Sequence, residues 1–151
     1  MVTATKTRCA ICGERAIVAS NDPVTVELRV GTYTVEGFEY THCTACGEDF
    51  HPLGQSDEMR VEASRMAREE FGLLQPLEIR QLRHDLGLTQ RALEDVLGVG
   101  EKTVARWERG IYPQSRTADT LMRLVWAHPE LVAETGFVAR EGRGPYRTRG
   151  E

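Results

Sequence analysis

A chain of 151 residues, 40% hydrophobic and 28% charged, has the composition of a folded globular protein, with room for one ordinary domain or two small ones. Its net charge of −4, from 19 basic and 23 acidic side chains, excludes a wholly basic chromatin-type binder. No stretch approaches the roughly 18 consecutive apolar residues of a membrane span, and the first residues carry no apolar signal-peptide core, so a cytoplasmic protein without membrane contact is expected.

The charge is uneven. Residues 1–60 carry 5 basic and 9 acidic side chains, whereas residues 77–127 carry 8 and 7. The acidity therefore sits at the front, and DNA binding by the later part stays open.

In chain order, the first fifty residues read as strands and turns. Val24, Val26, Leu28 and Val30 alternate with Thr25, Glu27 and Arg29, a period-two pattern. Tyr33 to Val35 and Phe38 to His42 read as a second hairpin with Glu36-Gly37 as its turn. The expected product is one small antiparallel sheet, too small to bury a core unaided.

The staple is supplied by Cys9-Ala10-Ile11-Cys12-Gly13 and Cys43-Thr44-Ala45-Cys46-Gly47. Two residues between cysteines let one tight turn aim both sulfurs at one point. The following glycine frees the backbone where amide hydrogens can approach thiolate. Two such knuckles make a tetrahedral four-sulfur site, so one structural zinc per chain is expected on Cys9, Cys12, Cys43 and Cys46. In a reducing compartment this reading outweighs disulfides. A redox dithiol lacks a βαβ context and gives no reason for two pairs; an iron–sulfur cluster remains as an alternative. Four protein thiolates leave no open position for catalytic zinc. His42 and His51 flank the second knuckle and are expected as solvated or strand-facing histidines rather than substitute ligands.

From Ser56 the pattern becomes helical. Ser56-Asp57-Glu58-Met59 marks a helix start, and Gly72 ends it. Residues 77–86 form the next helix, stopping at Gly87. Thr89 caps a short helix through Leu97, stopped by Gly98. Gly100 opens a helix to Arg109, stopped by Gly110. Ser115 starts a helix through Ala127, and Pro129 begins a last short one. The fold class is thus α+β: a small zinc-bound antiparallel sheet (1–55), a helical connector (56–75), an all-α helix-turn-helix domain (76–135) and a mobile tail (136–151) holding Arg140, Arg143, Arg147 and Arg149.

Two short helices meeting at Gly98-Val99-Gly100 have the spacing of a helix-turn-helix, whose second helix enters the major groove. Its N-terminal residues are Glu101, Lys102, Thr103 and Arg106, and Arg109 follows at its end. Lys102 and Arg106 share a face, and long cations reach guanine acceptors. Gln90 is placed to bond a phosphate with nearby amides. Glu101 repels phosphate yet can accept from cytosine, so its role stays open. Trp107 is expected in the core, and Glu108 paired with Arg80 or Arg83.

Leu88 to Gly110 resembles the helix-turn-helix of the Xre/Cro/phage-repressor superfamily. The wider layout resembles the MqsA (YgiT-type) antitoxin family: a Cys-x-x-Cys pair at each end of a small N-terminal domain, a connector, then Leu-Thr-Gln, Gly-x-Gly, Arg-aromatic-Glu-x-Gly and His128-Pro129-Glu130-Leu131. The resemblance covers roughly residues 9–135. It implies an antitoxin whose zinc domain binds an RNA-cleaving toxin and whose C-terminal domain dimerises and represses its operon. The family's base-contacting positions fall on Lys102 and Arg106, and Lys102 stands where the family carries asparagine. The tail beyond Thr135 is longer than the family pattern.

The expected function is therefore a homodimeric antitoxin and autorepressor on a palindromic operator. Leu121, Leu124, Val125, Leu131 and Val132 are candidate dimer positions, several of them expected in the core instead. The acidic N-terminal domain suits a basic toxin. The alternative is a stand-alone Xre-type regulator with a structural zinc domain and no toxin. An enzyme is not expected: no serine–histidine pair, carboxylate pair or phosphate loop supports one.

Overall fold

The computed structural model describes residues 7–134. The tail 136–151 and its four arginines lie outside them. The chain divides into two compact units between Met66 and Ala67.

The first unit holds five strands: β1 (Ile17–Ser20), β2 (Val24–Leu28), β3 (Gly31–Val35), β4 (Tyr40–Cys43) and β5 (Asp49–Phe50). They form two sheets, not one. β4 lies between β1 and β5, and β2 pairs with β3 alone. This corrects the expected hairpin of residues 33–35 with 38–42. The alternation of β2 is met by the alternation of β3: Val24 faces Val35 and Val26 faces Tyr33. Those apolar cross-strand pairs stabilise the ribbon, and Tyr33 and Val35 are buried. After Val35 the Glu36-Gly37 turn leads the chain to β4 rather than back along β3. There Ile17 pairs with Cys43 and Ser20 with Tyr40. The apolar centre of this sheet is Cys9, Ile17 and Cys43, flanked by Ala16 and Phe50.

Helix α1 (Gln55–Phe71) begins in the first unit and ends in the second. Asp57 and Glu58 in its first turn suit the helix dipole. Gln55 ties its start down: the side-chain amide donates to the Glu39 carbonyl at 2.8 Å and the side-chain oxygen meets His51 Nδ1 at 3.0 Å. Gly72, at φ 62°, ends it.

The second unit contains α2 (Pro76–Asp85), α3 (Gln90–Leu97), α4 (Thr103–Glu108), α5 (Arg116–Ala127) and α6 (Glu130–Glu134). Local chemistry explains most boundaries. Gln75 and Glu78 form a capping box at α2. Thr89 and Ser115 accept from the amides of Ala92 and Ala118. Gly98 closes α3 in the left-handed region at φ 67°. The start of α4 departs from the reading that Gly100 opens a helix. Residues Gly100–Lys102 form a turn, because Lys102 adopts φ 63°, which no helix interior accommodates. Ile79, Leu82, Leu93, Val104, Trp107 and Met122 lie at the centre of the core. Burying each such side chain contributes about 1.5–3 kcal/mol. Val125 and Val132 belong to that core, whereas Leu121 and Leu124 are exposed and Leu131 is half-buried.

Candidate metal centre and nucleic-acid interface

The two knuckles share one backbone geometry. Gly13 and Gly47 sit at φ 78° and 80°. Their amides donate to the carbonyls of Cys9 and Cys43 at 2.9 and 2.8 Å. The Cys9 and Cys43 amides donate to the carbonyls of Glu14 and Glu48 at 2.8 and 2.9 Å. Thr44 locks the second knuckle to the strand after the first: its amide and hydroxyl both donate to the Ala16 carbonyl. The glycine amides thus close the turns, and it is the Ile11 amide that approaches the Cys9 sulfur, at 3.4 Å.

The four sulfurs lie within 4.8 Å of one another. Cys9 to Cys46 and Cys12 to Cys43 are each 3.7 Å. A disulfide needs about 2.05 Å, and all four thiols are free. A tetrahedron with sulfur about 2.3 Å from its centre has edges of roughly 3.8 Å. The donor set therefore fits one metal ion. The backbone amide of Cys12, ahead of that of Ile11, draws the Cys9 thiol down to about 7. The Glu48 amide acts the same way on Cys46, but burial and the other three sulfurs outweigh it and push that thiol up to about 12. Four thiolates this close need a cation among them. His42 is paired with Asp49 at 2.7 Å, and His51 lies against Gln55 and the Tyr40 ring; neither joins the cysteine group.

In the second unit α3 and α4 are joined by the turn from Gly98 to Lys102. Two of the residues singled out there are engaged within the protein. The Gln90 side chain donates to Glu108 at 2.8 Å. Glu101 is ion-paired with Arg91, which holds its carboxyl below the usual range. Lys102, Arg106 and Arg109 are exposed and Thr103 half-buried. Their side chains have no ion pair among the described residues. Trp107 is in the core. Glu108 is bound by Arg83 through contacts of 2.6 and 3.2 Å, with Arg80 at 3.8 Å.

Four buried polar side chains were not foreseen. Glu94, 4% exposed, accepts from the Val104 amide at 3.1 Å and so caps α4 from the neighbouring helix. Arg68 is buried with no carboxylate partner among the described residues. It donates to the Tyr112 carbonyl at 2.6 Å, and burial lowers its pKa to about 10. Gln114 and Asp119 satisfy the backbone of Leu74. Nothing in the local sequence marks these last contacts. Among the described residues no helix is long and apolar enough to cross a membrane.

Residues 7–136 match the family described as the antitoxin component of bacterial toxin-antitoxin system, MqsA. The antitoxin MqsA of Escherichia coli (strain K12) is 26% identical over 129 residues, which cover 84% of this chain and 98% of that relative.

Proposed function

The chain belongs to the MqsA antitoxin family, a regulatory family rather than an enzyme family, and from this we propose that it is an antitoxin that also represses its own operon. Membership implies a cognate toxin. The N-terminal unit, with its zinc on Cys9, Cys12, Cys43 and Cys46, neutralises a ribonuclease toxin, and its acidic charge suits a basic partner. The C-terminal part, residues 76–135, binds double-stranded DNA as a homodimer. α4 enters the major groove, where Lys102, Thr103 and Arg106 meet base edges and Arg109 meets phosphate. Gln90 and Glu101 border that surface, Gln90 towards phosphate. The two half-sites of the palindrome lie roughly 34 Å apart, or a multiple of it. Exposed Leu121 and Leu124, with Leu131, are the dimer surface.

The observation that carries the DNA-binding half is a selective pattern of pairing. Arg83, Arg91 and Glu101 are tied to neighbours, whereas Lys102 and Arg106 at the reading helix are exposed without ion pairs among the described residues. The test has two arms. Expression of the adjacent small open reading frame alone should arrest growth of a heterologous bacterium, and coexpression of this chain should rescue it. Absence of arrest removes the antitoxin role and leaves a stand-alone regulator. In the second arm, an operator selected from random DNA is titrated with Arg106→Ala. The variant should lose about 1–3 kcal/mol of affinity and relax the base preference. Unchanged binding would sink the readout role of Arg106.

A further inference from the structure

Arg68 sits in the last turn of α1, the part of that helix that belongs to the second unit, and is 1% exposed. Its guanidinium is spent on one loop, residues 110–114, which runs from α4 to α5. Nη2 donates to the Tyr112 carbonyl at 2.6 Å, Nη1 to the Gly110 carbonyl at 3.4 Å and Nε to Gln114 Oε1 at 3.4 Å. At its start the loop closes α4. The Ile111 amide donates to the Arg106 carbonyl at 3.1 Å, and the Gly110 amide to the Trp107 carbonyl at 3.0 Å. At its end the loop is tied to α5. Gln114 Nε2 donates to Asp119 Oδ1 at 2.9 Å and to the Leu74 carbonyl at 2.8 Å. Asp119 also accepts from the Leu74 amide at 2.8 Å and from Arg123 at 2.7 Å. The Gln114 amide thus stands between the Arg68 cation and the Asp119 anion. No buried side-chain nitrogen or oxygen among the described residues lacks a partner, so this network is complete.

Resting on the DNA-binding and homodimer reading above, we propose that Arg68 is a positioning residue that sets the spacing between the two half-sites. On that reading α4 lies in the groove, and α5 carries the exposed Leu121 and Leu124 of the dimer surface. The distance and angle between the two reading helices of a dimer then follow from how each α4 is held against its own α5. The segment that joins them is the loop that Arg68 holds. Stability alone does not account for a cation at this place. An apolar side chain of similar length would fill the volume without desolvating a charge, and a buried charge is costly unless it is matched. What the guanidinium adds is a planar fork of fixed geometry, which sets three acceptors of one loop relative to one another. DNA makes that geometry matter. One base pair advances a half-site by about 3.4 Å and turns it by about 35°. A loop that lets α4 shift by part of that step lets the dimer accept a neighbouring spacing.

The test uses the full chain and duplexes that carry the selected half-site twice, with the gap between the copies varied one base pair at a time. Wild-type protein should bind one spacing and lose about tenfold or more in affinity when a base pair is added or removed. Arg68→Met keeps the length and removes the fork. Arg68→Lys keeps the charge and puts a single ammonium in its place. Both should keep the half-site sequence, while the discrimination between neighbouring spacings shrinks to about threefold or less. Arg65→Met, on the exposed face of the same helix and paired there with Glu62, should leave the spacing profile unchanged. A uniform loss of affinity with the wild-type profile overturns the proposal, because a purely structural role predicts that result. Either variant that folds decides between these outcomes. Loss of the tryptophan melting transition in both variants overturns it too, since Arg68 is then required for the fold itself. A wild-type protein that binds one half-site as tightly as two overturns the homodimer reading, and one that enriches no sequence overturns the DNA-binding reading; the proposal falls with either.

Discussion

Glu108 lies at the end of α4 with its side chain 2% exposed, and it collects Arg83, Gln90 and Arg80 from two other helices. Burial alone would raise its pKa. The hydrogen bonds from Arg83 and Gln90 and the charges of Arg83 and Arg80 outweigh burial and leave it lowered. Asp119 is lowered too, its burial offset by Arg123, the Leu74 amide and Gln114. A lowered carboxyl contributes stability that is complete above its unfolded value, about 4 for these groups. That contribution fades as pH falls through the folded value. Thermal melts should therefore be flat from pH 7 to about 5 and decline below about pH 4. Glu108→Gln leaves Arg83, 13% exposed, without its anion. It should lower stability at pH 7 by about 3 kcal/mol and flatten the acid decline. An acid decline as steep as wild type would assign that dependence to other carboxylates. The partners Arg80 and Arg83 were legible from sequence as candidates. The burial of Glu94 was not, because an acidic residue in a short amphipathic helix reads as solvated until the next helix is packed on it.

At the scale of elements, most helix boundaries were legible within about a residue. Thr89, Ser115, Pro76 and Gly98 act on backbone groups three or four residues away, so their effect is written locally. Gly98 gives a clean check. A methyl group there meets nothing within 4 Å, so only its φ of 67° opposes a side chain. Gly98→Ala should cost about 1 kcal/mol, seen as a lower urea midpoint with an unchanged slope. A change near zero would mean that the turn tolerates another backbone. Such a loosened turn would also loosen Lys102. The strands were less legible. The alternation of β2 was visible, but residues 33–35 were expected to pair with 38–42 rather than with β2, because pairing depends on which apolar face meets which across the sheet. Val26 opposite Tyr33 decides that register. β1 was missed entirely, since four residues give too short an alternation to stand out from a loop.

For the whole molecule, the two units differ in what holds them. The second has a core spread over five helices. The sheet beside the cysteines has Ile17 and two cysteines. Burying Ile17 contributes about 2–3 kcal/mol, whereas zinc in small four-ligand sites supplies on the order of 10 kcal/mol. On the proposed reading the metal therefore dominates the stability of the sheet beside the cysteines. The chain has two tryptophans, Trp107 and Trp126, and both lie in the second unit. Tryptophan fluorescence thus reports on that unit alone. Cys9→Ser, or a strong chelator, should release one zinc per chain and abolish dispersed amide signals from the strands. The fluorescence melting transition should stay where it was. A metal assay still showing one zinc per chain in Cys9→Ser would count against the four-sulfur site. A shifted fluorescence transition would show that the units share their stability.

What the sequence by itself determined was local or strictly spaced. The Cys-x-x-Cys-Gly repeats gave the sulfur cluster, because one tight turn places two sulfurs wherever it occurs. Caps and glycines gave the helices, and the order of motifs gave the family. The tertiary structure alone decided which strands pair, that Glu94 caps α4, that Gln90 and Glu101 are engaged, and that Lys102 is held in the left-handed region. It alone placed Arg68 beside Gln114, 46 residues away, and Asp119 beside Leu74, 45 residues away. Those outcomes depend on groups that meet only once the chain has closed on itself. Their free energies come from burial and pairing across elements rather than from neighbours along the backbone.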